Sequence, residues 1–256
     1  MLVYPQLGSG AISQFPVQKR VTLRTIVNRA SDGSAIRAAD PAATIIEWAL
    51  NYTDLSDSEA GTLEQFFTSA EGSLNGFTFL DPAGNLFASS DQLDAAVWEK
   101  DPLLTATAGS DDPRGGKLAW QLQNTGAGSQ TLAQTLPAPN GYLYCLSAYV
   151  MAAQAVTVAL TAGSQSVDRT VTAQWSRITF TTTPDAPRFG IEIPAGASVT
   201  VYGMQVEPQP SPSAYQSTTV SGVYEDARLK DDTLKITATG YNRHSCTVNI
   251  IHANHL

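Results

Sequence analysis

The residues most able to do chemistry cluster at the end of the chain. The three histidines, His244, His252 and His255, lie there together with Cys246, one of only two cysteines. His244, Cys246 and His252 are an even number of residues apart, so a strand would turn them to one face. Imidazole and thiolate on one face suit a zinc-like ion. However, Cys246 and His252 are roughly 20 Å apart along an extended strand at ~3.3 Å per residue, and one ion could bind both only if the chain bent. His252 and His255 form a closer, weaker pair. The spacing favours ordinary strand residues followed by a subunit-contacting tail, and no metal centre is expected. Asp111 and Asp112, just before Gly115 and Gly116, could give oxygen ligands to a structural calcium ion. Asp-Pro and Gly-Gly are equally plain turn formers, so both readings stand. No other cofactor is called for. Cys145 and Cys246 could pair or stay free.

Catalytic patterns are missing from the sequence. It contains no Gly-x-Ser-x-Gly elbow and no phosphate-cradling Gly-x-x-x-x-Gly-Lys loop. The carboxylates of residues 89–223 form no close pair of the kind a glycosidase needs. The expectation is a protein that is not an enzyme. Aromatic residues are better placed for binding. Trp98, Trp120, Tyr142, Tyr144, Tyr149, Trp175, Tyr202 and Tyr215 each offer an apolar face with a polar handle, which suits stacking on a sugar. A β-rich core needs most of them. Trp120 and Tyr142 flank loop-like stretches and are the favoured carbohydrate contacts.

Charge narrows the partners. The chain has 256 residues, is 15% charged and carries a net charge of −8. That balance argues against general nucleic-acid binding and against an anionic membrane surface. No run of 18 apolar residues is present, so no membrane insertion is expected. The start, Met1 to Pro5, has neither the charged nor the apolar region of a signal peptide. The first thirty residues are locally basic, with Lys19, Arg20, Arg24 and Arg29 and no acid. Either these guard an exposed edge strand or they meet an acidic neighbouring subunit.

The positioning elements read as mainly β. Residues 20–28 alternate as a half-buried strand, with Val21, Leu23, Thr25 and Val27 on one face. Residues 44–52 form a second strand. Ser56 and Glu59 make a capping box, and Ala60, Leu63, Phe66, Phe67 and Ala70 fall on one helical face, with Gly72 as the stop. A short strand, 76–80, ends at Asp81-Pro82. Residues 89–223 have a different character. The only helical period there is at 91–98, and about eight short strands are separated by turn clusters. This pattern predicts a jelly-roll β-sandwich. Pro208 to Ser213 reads as a stiff exit. Residues 224–256 return to the earlier style with two strands. The fold class is therefore a discontinuous β-sandwich with one helix (1–88 with 224–256) plus an inserted jelly roll (89–223).

Phe15-Pro16, the basic strand, Glu47 to Ser56, the helix ending Phe66-Phe67 and Phe77 to Pro82 resemble the distal and minor tail proteins of long-tailed phages, as does the C-terminal stretch from Asn242. The middle block is similar to carbohydrate-binding-module-like jelly rolls. That similarity lies in residues 91–98, Gly141 to Val150, Trp175 to Ile178, Tyr202 to Glu207 and Ser213 to Tyr215. The resemblance implies a virion structural protein made in the host cytoplasm without a signal peptide. It would self-associate as a ring, with six copies by analogy, beside tube, hub and tape-measure proteins. Lys19, Arg20, Arg24 and Arg29 would lie at the subunit interface. The inserted domain would project towards a cell-surface polysaccharide. The alternative is a free-standing, lectin-like carbohydrate-binding protein. A weaker third reading is a tail-borne cell-wall hydrolase.

Overall fold

The computed structural model describes residues 2–253, and His255 lies outside them. In chain order the elements are β1 (Val17–Arg29), β2 (Ala35–Leu55), α1 (Asp57–Ala70), β3 (Phe77–Leu80), β4 (Glu99–Lys100), β5 (Leu104–Ser110), β6 (Ala119–Asn124), β7 (Gln130–Thr135) and β8 (Tyr144–Met151). They continue with β9 (Val156–Ala162), β10 (Gln165–Val171), β11 (Ser176–Thr182), β12 (Arg188–Ile193), β13 (Ser198–Glu207), β14 (Val223–Leu229), β15 (Ile236–Gly240) and β16 (Arg243–Ala253). The protein is mainly β, and residues 91–98 are turns rather than a helix. Apolar and polar residues do recur there, but in a segment that closes successive three-residue turns: Gln92, Ala95 and Trp98 each donate to the carbonyl three residues back.

The chain divides into two compact units. The first holds Ser13–Phe79 with segments ending at Leu7 and resuming at Tyr224; the second holds Gly8–Ile12 and Leu80–Val223. Residues 80–88, which sequence style places with the first block, belong to the second unit. Asn85 is the physical reason. Fully buried, its amide donates to the Met204 carbonyl (2.9 Å) and accepts from the Phe87 and Val206 amides (3.1 Å each).

In the first unit, a six-stranded sheet runs β1-β2-β16-β14-β3, with β15 on β16. Helix α1 starts where expected. The Ser56 hydroxyl accepts from the Glu59 amide (3.2 Å), and the Glu59 carboxylate accepts from the Ser56 amide (3.0 Å), so two otherwise orphaned N–H groups are satisfied. The helix ends in left-handed backbone at Glu71 and Gly72. Its buried residues are Ala60, Leu63, Phe66 and Ala70. Phe66 meets Tyr4 (5.0 Å, edge-on) and Phe77 (4.9 Å), and Trp48 meets Phe79 (4.9 Å). Edge-to-face contacts of this kind add to the burial of the rings themselves. The Tyr4 and Tyr52 hydroxyls bond each other at 2.9 Å inside this cluster.

The second unit holds two five-stranded sheets, β10-β9-β12-β7-β4 and β11-β8-β13-β6-β5, with every assigned pair antiparallel. One face of each is buried. Tyr144, Leu146, Ala148 and Val150 of β8 point inwards, as do Leu160, Ile191, Val201 and Val206 from neighbouring strands. Tyr144 of one sheet meets Phe189 of the other at 5.1 Å. This is the period-two alternation expected of a two-layer β fold.

Candidate functional site

Two surfaces carry functional potential, one in each unit. In the first, β1 and β2 form a two-stranded ribbon. β16 pairs with β2 over Ile45–Leu55, so among the described residues the ribbon beyond Ile45 has no third strand. Its register shifts between Thr22 and Arg24, opposite Pro41 to Thr44. Proline has no N–H to give a ladder, and the Thr44 hydroxyl closes the local turn onto the Pro41 carbonyl (2.8 Å). Every residue of β1 after Val17 is exposed, which corrects the half-buried expectation. Val21, Leu23, Ile26, Val27 and Ile36 are 52%, 72%, 43%, 46% and 68% exposed. Ile26 and Val27 are neighbours in a strand, so exposed apolar groups lie on both ribbon faces.

The basic residues lie along this ribbon. Arg20 is within 3.9 Å of Glu47, and Glu47 also holds Lys230 at 2.7 Å. The Lys230 contact holds the Glu47 pKa below the usual carboxylate value. Arg24 binds Asp40 across the strands. Lys19 lies over the Trp48 ring at 5.7 Å. Arg29 and Arg37 are exposed and form no ion pair among the described residues.

In the second unit, the outward face of the β11-β8-β13-β6-β5 sheet carries rows of polar and aromatic side chains. Register aligns Arg177, Tyr149 and Tyr202 in one row. A second row holds Met151, Thr200, Gln121 and Thr107, and a third Ser198, Gln123 and Thr105. Gln121 and Gln123 are exposed, and Tyr149, Trp175 and Thr200 are half-buried. The Gln121 amide donates to the Ser198 hydroxyl at 3.1 Å. The exit segment after β13 covers the other end of this face. Arg177 donates to the Ser213 carbonyl, Thr181 to the Pro210 carbonyl (2.9 Å), and Gln205 accepts from the Gln216 amide (2.8 Å). Tyr215 packs on Tyr202 at 5.2 Å, with the Arg114 guanidinium 5.6 and 5.9 Å from their rings. Burial and the hydrogen bond to Asp91 push the Tyr215 phenol up. What remains open is a shallow field of amides and hydroxyls edged by Tyr149 and Trp175, which can stack on a sugar ring and bond its hydroxyls.

The favoured aromatic pair is not part of that field. Trp120 has the parity of Leu122, faces the core, is 7% exposed and donates its indole N–H to the Asp91 carbonyl (2.9 Å). Tyr142 is half-buried just before β8. Trp120 aligns with Val201, which aligns with Val150, so the pair is separated by about 25 Å of strand at ~3.3 Å per residue. Strand parity could have placed Trp120 inside, and the Tyr149–Tyr202 pairing needed the register.

The residues proposed for metals do other work. Asp112 is nearly buried. Burial opposes its ionisation, but the Leu118, Arg114 and Gly116 amides donate to its carboxylate (2.8–3.2 Å) and hold its pKa low. Asp111 pairs with Lys117 at 2.8 Å. A carboxylate saturated by N–H donors does not fit calcium. His244 Nε2 is 2.6 Å from Asp57 Oδ1, His252 packs on Tyr224 (5.0 Å), and both cysteines are buried free thiols. Among the described residues no three His, Cys, Asp or Glu side chains converge as a metal site.

No family model matches the chain, and no curated protein matches it in sequence. Solved structures do. The enzymatically active domain of bacteriophage CBA120 tailspike protein 4 aligns at 14% identity and a TM-score of 0.37 over 50% of this chain, which spans 22% of that one. The C-terminal family 22 carbohydrate-binding module of Clostridium thermocellum Xyn10B aligns at 12% identity and 0.40, over 52% and 99% of the two chains. TmCBM61, solved with β-1,4-galactotriose, aligns at 15% and 0.36, over 48% and 98%. Likeness at this level leaves function to the geometry.

Proposed function

We propose that the chain is a non-catalytic structural subunit that self-associates through its β1–β2 ribbon, forming a ring at the tail end of a phage or tail-like particle. Six copies follow by analogy with the tail proteins it resembles, and tube, hub and tape-measure proteins would be its neighbours. One observation carries the reading: the ribbon extends beyond the sheet with exposed apolar side chains on both faces. A bare two-stranded ribbon is marginal in water, and exposed apolar strands call for a partner.

A second reading is favoured by the polar–aromatic field on the second unit. It is contact with a neutral cell-surface polysaccharide, made either from a ring or by a free-standing lectin-like protein. Ring display would turn weak sugar contacts into avidity. The test is solution mass with negative-stain imaging of the same fractions, followed by a glycan array. Closed rings of uniform copy number support the structural subunit. A monomer at every concentration that binds glycans overturns it in favour of the lectin-like protein.

A further inference from the structure

We infer that the groove between α1 and β15 is the seat for the ribbon of a second copy of this chain. The inference rests on the ribbon reading above and adds where the ribbon goes. The groove is an open cavity of about 630 Å³ in the first unit, lined by Asp57, Gly61, Glu64, Phe67, Ile236 and His244 among others. Phe67, Leu234 and Ile236 are the large apolar residues of a lining that is otherwise largely polar. Gly61 keeps it open, since a Cβ built there meets nothing within 4 Å.

Charge selects the occupant. The stretch from Ser56 to Glu71 contains Asp57, Glu59, Glu64 and Glu71 and no Lys or Arg. Glu59 is used in the helix cap and Asp57 faces His244, whereas Glu64 is exposed and makes no ion pair among the described residues. The far end of the ribbon is the complement. It carries Ile26, Val27 and Ile36 as exposed apolar groups and Arg29 and Arg37 as unpaired cations. Apolar contact would supply affinity, and the charges would set register and partner choice.

The ribbon cannot serve its own groove. β2 runs from Ala35, beside the ribbon turn, to Leu55, next to the start of α1. That is on the order of 60 Å of strand at ~3.3 Å per residue. The groove that the ribbon enters therefore belongs to another molecule. A contact between two different surfaces of one chain is head-to-tail, and it closes into a ring or propagates as a filament.

The test uses two full-length variants. Arg29→Glu with Arg37→Glu reverses the ribbon charge. Gly61→Trp fills the groove at a helical glycine with free space around it, and Gly61→Ala is its control. Each defective variant alone is expected to show an apparent dissociation constant raised about a hundredfold. An equimolar mixture of the two retains one good ribbon and one good groove, so it is expected to form a heterodimer and stop there. If Gly61→Trp loses helical ellipticity, Glu64→Lys replaces it, with Arg37→Glu as the compensating partner. Wild-type assembly by the groove variants, with the ribbon variant defective, overturns the groove and leaves the ribbon reading intact. Wild-type assembly by both, or a wild-type chain that stays monomeric up to its solubility limit, overturns both.

Discussion

Replacing Leu23 and Ile36 with serine separates assembly from folding. Leu23 is 72% exposed and Ile36 68%, so neither contributes much to the core of its own chain. Surface substitutions of this kind usually change stability by less than about 0.5 kcal/mol each, so the pair should shift Tm by no more than about 4 °C in a unit of this size. The interface should respond differently. Full burial of a Leu or Ile side chain is worth about 1.5–3 kcal/mol, and roughly two-thirds of that is still available at these two positions. The pair then removes about 3 kcal/mol per contact, a hundredfold in dissociation constant. Each subunit of a ring makes two such contacts, so closed rings should vanish over a narrow concentration range. Sedimentation velocity across a dilution series, with calorimetry on the same samples, measures both quantities. Unchanged association refutes the reasoning. So does a loss of several kcal/mol in stability, which would mean that the ribbon is part of its own chain's core.

Other outcomes follow from single sites. Asn85→Ala strands the buried amides of Phe87 and Val206; at about 1–3 kcal/mol per orphaned group, denaturant titration should show the second unit losing about 3 kcal/mol. Tyr149→Ala should weaken binding to whichever polysaccharide the wild type captures about tenfold, a stacking contribution of ~1 kcal/mol, and should also lower Tm, because the ring packs on Tyr202 (6.0 Å) with the Arg177 guanidinium 5.3 Å from its centre. Trp120→Ala should instead cost about 3–5 kcal/mol of stability, read by thermal unfolding. Burial pushes the Cys246 thiol up to about 11 from its ordinary value of 9.0. The unfolded thiol ionises first, so its contribution to stability is full below pH 9 and is lost as pH rises towards 11. Alkylation of the folded chain near neutral pH should therefore be slow at this site, and rapid labelling of native protein would contradict the burial.

Local structure is legible in the residue pattern. Ser56 and Glu59 specify a helix start because their side chains satisfy backbone groups within one turn, and both hydrogen bonds of that box form. The alternating runs at 156–162, 176–182 and 188–193 coincide with strands because period-two patterning is a property of the segment itself. Four features depend on contacts between distant segments. Residues 20–28 alternate like a half-buried strand, yet among the described residues no layer covers the ribbon, so their apolar groups are exposed. Trp120 reads as a loop-flanking platform in the sequence, but pairing with β5 and β13 fixes its side chain inwards. The field of Tyr149, Thr200 and Gln121 comes from three separate strands, and the groove beside α1 joins residues 57–68 to residues 234–244. Local pattern fixes which way a side chain points relative to its own backbone. What it points at depends on strand register and on which surfaces other segments cover, and these are settled only when the distant parts of the chain come together.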